Sequence, residues 1–190
     1  MSFDLIKSEG LARVGILHTG HGDINTPVFM PVATQGSVKS VSPDDLYEIG
    51  SQIILGNTYH LYLRPGVDLI QDFGGIHKYI NWKKPILTDS GGFQGFSLQH
   101  LRSIKPGGIE FKSHIDGTNH FFSPELTIKH QEKIGADIIM PLDVCLQQGS
   151  KFSEIQEAVK LTTDWAKKSK DVHSKKDQLL FCPLGGSGEI

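Results

Sequence analysis

Short apolar runs that each give way to a helix-opening signature recur along this sequence and narrow the choice of fold more than any other feature. Val28 to Ala33 has the apolar density of a strand buried on both faces, with Thr34 to Lys39 as its exit loop. Ser42-Pro43-Asp44-Asp45 then supplies a capping hydroxyl, a proline suited to the first helical position and two acids against the macrodipole. Leu46 and Ile49 give that helix an apolar face, and Gly50 ends it. Ile53-Ile54-Leu55-Gly56 is the next strand, and Val67 to Phe73 reads as a short helix closed by Gly74-Gly75. The signature returns at Ser123-Pro124-Glu125, with a helix to Ile134 closed by Gly135 and a strand over Asp137 to Asp143. Ser153 to Lys170 carries Ile155, Ala158, Val159, Thr162, Trp165 and Ala166 near helical spacing, and Leu179-Leu180-Phe181 is a last apolar run. Alternation of this kind predicts a parallel α/β sheet, of the TIM-like barrel type, rather than an all-α or all-β fold.

Two stretches break the alternation. Phe3 to Ile6 and Ala12 to Leu17 predict an amino-terminal antiparallel hairpin, followed by a glycine-rich turn over His18 to Asn25. Ile109 to Lys112 and His120 to Phe122, around Asp116-Gly117, predict a second hairpin inserted between the parallel units. No linker or internal repeat divides the chain, so residues 1–190 are read as part of one domain. A complete (β/α)8 barrel of usual size needs roughly 250 residues.

The net charge of −2 gives the chain no general attraction for nucleic acid, and the lysines at 167, 168, 170, 175 and 176 read as a solvated helix face. Cys145 and Cys182 lie far apart without metal-type spacing, which points to a reducing compartment. With no apolar leader and no run of eighteen apolar residues, the expectation is a cytoplasmic chain without membrane insertion. His18 and His21 flank one turn and His114 and His120 another, and these make no closed four-ligand set. No metal is expected in this chain.

Polar residues gather where strands should stop. Ile86-Leu87-Thr88 runs into Asp89-Ser90-Gly91-Gly92-Phe93-Gln94, Ile53 to Gly56 runs into Asn57, and the later strand ends on Asp143. Carboxyl ends of parallel strands are where such folds place their chemistry. Gly91 and Gly92 would let backbone N–H groups approach a ligand closely. Two aspartates on separate strand ends fit a two-carboxylate glycosidase, or a heterocycle site in which a carboxylate accepts the adjacent N–H donors of a guanine edge. Phe93 could stack on a base, or simply fill the core. The bland alternative is an Asp-Ser turn with glycines.

Five spaced motifs resemble the tRNA-guanine transglycosylases (queuine tRNA-ribosyltransferases): Thr26 to Val32; Asn57-Thr58-Tyr59-His60-Leu61 with Arg64-Pro65-Gly66; Leu87 to Gln94; Phe111 to Gly117; and Asp137 to Met140 with Asp143. The resemblance implies a zinc-containing βα barrel that exchanges the wobble-position guanine of tRNA for queuine or its precursor, in two displacements through an aspartate nucleophile. It implies that Asp89 is the general acid/base and binds the base together with Ser90, Gly91, Gly92 and the stacking Phe93. Asp143 would read the guanine N1 and N2 edge, and Asn57 and Gln94 would lie near the ribose and the pocket floor. The target nucleotide must leave its stack to reach such a site. A homodimer is expected for the full-length family.

The departures from the family's pattern are equally specific. Its nucleophile, its cysteine-and-histidine zinc site and its main tRNA-contacting elements lie beyond the matching motifs, so only about the first half of the barrel is expected here. Where the family has a Val-Gln-Gly-Gly type turn, this chain has Phe181-Cys182-Pro183-Leu184-Gly185-Gly186, and Val144 follows Asp143 where many bacterial relatives carry Glu. The expectation is a truncated or frameshifted transglycosylase, inactive alone and poorly soluble. The alternatives are a non-enzymatic base-binding or dimerisation fragment and, last, a glycosidase-like barrel using Asp89 and Asp143.

Overall fold

The computed structural model describes residues 2–92, 102–146 and 149–183. Its centre is a five-stranded parallel sheet, in the order β11-β10-β6-β5-β4, formed by β4 (Val32–Ala33), β5 (Ile54–Gly56), β6 (Ile86–Thr88), β10 (Ile138–Ile139) and β11 (Leu179–Leu180). Successive side chains leave opposite faces of these strands. Ile54, Ile86 and Ile139 join one buried cluster with Leu46, Leu61, Ile70, Ile76, Trp82, Ile128 and Ile134 from the helical side. Their neighbours Ile53, Leu87 and Ile138 join another, with Leu17 and Ile24. Each fully buried side chain of this size contributes about 1.5–3 kcal/mol. Short strands that are apolar on both faces therefore have a place to put both. Among the described residues no barrel closes.

The amino-terminal segment is a three-stranded antiparallel meander, β1 (Phe3–Glu9), β2 (Ala12–Thr19) and β3 (Gly22–Thr26), where the sequence suggested two strands and a long turn. The turn is confined to Gly20 and His21 between β2 and β3, because Ile24 alternates inward to pair its burial with Leu17. The run at Val28 to Ala33 also differs from expectation. Only Val32 and Ala33 are in a strand; Ala33 is buried, whereas Val32, which points to the other face, and Phe29, which lies before the strand, are 51% and 82% exposed.

Among the helices, α1 (Pro43–Glu48) carries a full capping box, with Ser42 Oγ accepting from Asp45 N and the Asp45 carboxylate accepting from Ser42 N. Three short helices follow, α2 (Thr58–Leu63), α3 (Val67–Asp72) and α4 (Ile76–Tyr79); the first and third had no clear sequence signal. Helix α5 (Pro124–Ile134) starts on the Ser123 cap and ends on Gly135, whose φ of 78° a side chain would disfavour. Helix α6 (Phe152–Val172) packs on α5.

The inserted segment is also a three-stranded unit, β7 (Arg102–Lys105), β8 (Gly108–Lys112) and β9 (Asn119–Phe122). Ile109, Phe111 and Phe122 bury against Tyr59, Leu142 and Trp165. At its Asp-Gly turn, hydrogen bonds from Ser113 and Thr118 hold the Asp116 carboxyl down at about 2. No described helix is long and apolar enough to cross a membrane.

Candidate functional site

Asn57, Asp89 and the Ser90-Gly91-Gly92 segment meet because β5 and β6 are parallel neighbours in register, with Gly56 opposite Thr88. The ladder continues one step past the strands, Asp89 N donating to Gly56 O at 3.1 Å. Asp89 is therefore delivered at the carboxyl end of β6 beside the first turn of α2. Its Oδ1 accepts from Thr58 N at 3.0 Å and from Gly91 N at 3.1 Å, and its Oδ2 accepts from the Asn57 side-chain amide. The Thr58 hydroxyl donates to the Asp89 carbonyl.

Asn57 occupies the N-cap position of α2 yet makes no side-chain cap. A residue type that ordinarily closes a helix start is turned onto a carboxylate instead. The carboxylate itself takes the role of partner to the Thr58 N–H.

Asp143 reaches the same place from the next strand. β10 pairs with β6, and the chain after Ile139 brings Asp143 Oδ1 within 3.1 Å of the Ser90 hydroxyl, which donates to it; Cys145 Sγ lies 3.3 Å from Oδ2. Ser90 Oγ in turn accepts from Gly92 N at 3.1 Å. A Cβ at Gly92 would lie 2.9 Å from the Asp143 carbonyl and 3.0 Å from its Oδ1, so a bare backbone is what lets the two segments touch. At Gly91, φ is +80° and a Cβ would meet Tyr59 N at 3.2 Å. Asp89 and Asp143 are both half-buried, whereas Asn57, Ser90, Gly91 and Gly92 are buried.

Beneath them, Gln131 of α5 is wholly buried and ties three segments together. Its Oε1 accepts from Thr88 Oγ1 and from Met140 N, each at 3.0 Å, and its Nε2 donates to Met140 O at 2.7 Å. The strand that leads to Asp89 and the segment that leads to Asp143 are thus set against one amide. Deeper ordering of this kind is what a site built to sub-ångström tolerance requires.

The profile of the family described as queuine tRNA-ribosyltransferase matches residues 8–189, nearly the whole chain. This chain belongs to that family. It is 54% identical over 188 residues to the queuine tRNA-ribosyltransferase of Halothermothrix orenii, which covers 98% of this chain and 50% of that protein. The Dictyoglomus turgidum protein of the same name is 54% identical over 186 residues, covering 95% and 48%, and that of Nitratidesulfovibrio vulgaris is 52% identical over 174, covering 92% and 46%. The chain spans about half the length of the curated relatives it matches.

Of the site residues singled out in the sequence, six fall into two hydrogen-bonded sets, Asn57 and Gly91 on Asp89, and Gly92 and Asp143 on Ser90, which the continuous Asp89–Gly92 segment holds together. Phe93 and Gln94 lie outside the described residues. Thr58 and Cys145, which bond Asp89 and Asp143, were missed, as was Gln131 beneath them. A threonine directly after a strand-ending Asn, and a glutamine on the apolar stripe of α5, were the available signals.

The histidines fall elsewhere. His114 Nδ1 lies 2.8 Å from Tyr59 Oη and His120 Nδ1 lies 3.1 Å from Tyr62 Oη, so both fasten the inserted sheet to α2. Burial, with a smaller contribution from His114, holds the His60 pKa below its usual value. His21 meets His77 and Asp137, the one group of three or more metal-competent side chains among the described residues. Cys145 and Cys182 are the chain's two cysteines, and neither is in that group. The cysteine-and-histidine zinc set expected of the family does not fit these residues.

Proposed function

We propose that this chain is the guanine-recognition half of a tRNA-guanine transglycosylase barrel. The whole protein would exchange the wobble guanine of tRNA for queuine or its precursor through a covalent double displacement. The observation that carries this reading is the hydrogen-bonded join of Asp143 to the Asp89–Gly92 segment at the carboxyl ends of adjacent parallel strands. An ionised carboxylate offers about four lone-pair positions, so Asp143 can hold Ser90 and still accept two side-by-side donors from a guanine edge. Asp89 is steadied by Asn57, Thr58 and Gly91 and is half-exposed, as a group that passes a proton to a departing base must be. Phe93 and Gln94 complete the base pocket in this proposal.

The residues described make up part of a (β/α)8 barrel in this reading, with 1–190 belonging to a single barrel domain. The nucleophile, the zinc ligands, the dimer contacts and most of the tRNA surface would be supplied by the portion of the relatives that this chain does not span. No side chain here is assigned to attack on the ribose. A cytoplasmic setting follows from a tRNA substrate.

The test has two parts. Incubating the chain with labelled guanine and substrate tRNA should leave the tRNA unlabelled, and incorporation would overturn the division of labour. Equilibrium dialysis of labelled guanine should show binding to the chain that Asp143→Asn and Asp89→Asn each abolish. Equal binding by both variants would overturn the base-site assignment and favour a dimerisation fragment.

A further inference from the structure

The strand that leads to Asp143 begins at another buried aspartate with no part in the base site. Asp137 stands at the amino end of β10, and its side chain is 2% exposed. Its Oδ1 lies 2.7 Å from His21 Nδ1 and its Oδ2 lies 3.0 Å from His77 Nε2. Oδ2 also accepts from Ile86 N at 2.9 Å. The three side chains come from three separate places: the turn between β2 and β3, helix α4 and the start of β10. We propose that His21, His77 and Asp137 form a binding site for a divalent ion of the zinc type, at the end of the sheet opposite the base site.

Two imidazoles and one carboxylate suit zinc, cobalt or nickel, whereas magnesium and calcium favour oxygen ligands throughout. Bonds of about 2.0–2.1 Å in tetrahedral geometry place neighbouring ligand atoms about 3.3 Å apart. The three donor atoms already lie within 4.8 Å of one another, and the nitrogen-to-oxygen spacings of 2.7 and 3.0 Å need open only by a few tenths of an ångström.

The two histidine rings are stacked, 3.5 Å between centroids and 12° from parallel, so their nitrogens face the two carboxylate oxygens side by side. A shared ion requires one ring to tilt toward the other. His21 can do this, since its side chain is 43% exposed on a hairpin turn, while His77 at 11% and Asp137 keep their places. The Ile86 N–H on Asp137 is the kind of outer partner that orients a metal-binding carboxylate. Solvent on the His21 side would fill the fourth position. The ion would clamp the amino-terminal meander to the sheet.

Cobalt titration of the chelator-treated 190-residue chain tests this. The expected result is one Co2+ per chain, with visible ligand-field absorption, no thiolate charge-transfer band, and a higher urea midpoint in the presence of Zn2+. Substituting exposed His21→Gln should weaken Co2+ binding by at least about 100-fold, beyond the 10–100-fold of outer-shell changes, with an unchanged far-ultraviolet spectrum. Placing a thiolate there, by His21→Cys, should restore binding and add a sulfur-to-cobalt band. If the parent chain takes up no cobalt, the cluster is a metal-free hydrogen-bonded clasp and the proposal fails. Uptake that survives His21→Gln, or a thiolate band in the parent, would place the ion elsewhere and overturn it equally. None of these readouts depends on guanine binding.

Discussion

The two ends of the parallel sheet treat aspartate in opposite ways. At the carboxyl ends, Asp89 and Asp143 are half-buried, and the partners given by the described residues include two backbone N–H groups, an amide, a hydroxyl and a thiol. At the amino end, Asp137 is shut away from solvent and shares its two oxygens among two imidazoles and a backbone N–H. Burial pushes the Asp137 pKa up most strongly, yet the hydrogen bonds from His77, His21 and Ile86, with the charge of His77, together hold it below the ordinary carboxylate value. One end leaves its acids approachable, as chemistry needs. The other spends its acid on joining the meander, α4 and two strands. Parallel α/β folds divide labour along the strand axis in this way, with reactivity at one face and stability at the other.

Removing the amino-end acid should therefore produce the largest loss. Asp137→Ala leaves the buried Ile86 N–H and two imidazoles without their acceptor and should cost about 3–5 kcal/mol, measured as a drop in urea unfolding free energy. A loss below about 1 kcal/mol would erase the contrast between the ends. Gly92→Ala should come next, at about 1–3 kcal/mol, because the new methyl meets the backbone carbonyl of Asp143 rather than a yielding side chain. The same change should weaken guanine binding in dialysis. Asp143→Asn keeps the shape and a hydrogen-bonding partner for Ser90, so its stability cost should stay within about 1 kcal/mol while guanine binding is lost. A cost equal to that of Asp137→Ala would mean that both ends are structural.

The smallest effect concerns pH. Burial between Tyr62 and Phe122 holds the His130 pKa below its usual 6.5, with a smaller contribution from Lys133. As pH falls through that ordinary value the unfolded chain takes up the proton first, so stability declines until the folded-state pKa is passed. His130→Gln should flatten the decline in unfolding free energy between about pH 7 and about pH 5. Asp137 acts in a lower window: its depressed pKa contributes stability above the ordinary carboxylate value, lost as pH falls through the folded one. His130 and Asp137 can thus be titrated separately.

The local parts of this architecture were readable because their causes are local. Ser42 with Asp45, Ser123 with Pro124, and Gly135 each settle a helix boundary through contacts a few residues apart. Asn57, Asp89, Ser90, Gly91, Gly92 and Asp143 were readable as strand-end polar residues, although their placement together rests on strand register. Helix α2 escaped notice because it is only six residues long, set between the strand-ending Asn57 and the break at Arg64-Pro65-Gly66. The His21–His77–Asp137 cluster joins positions 116 and 60 residues apart, and no spacing rule reaches that far. Val28 to Ala33 has the composition of a central strand, yet only Val32 and Ala33 pair in the sheet, and Phe29 and Val32 are exposed. Composition records how apolar a segment is, and topology decides which of its faces is covered.

If the proposed base site is correct, Gln131 limits how its preferences could change over time. Its single amide holds Thr88 and both backbone polar groups of Met140, so a shift of the segment carrying Asp143 by even one ångström would strand a donor or an acceptor in a place water does not reach. A variant selected for a bulkier or differently edged heterocycle would have to alter the helix behind the pocket together with the residues that touch the ligand.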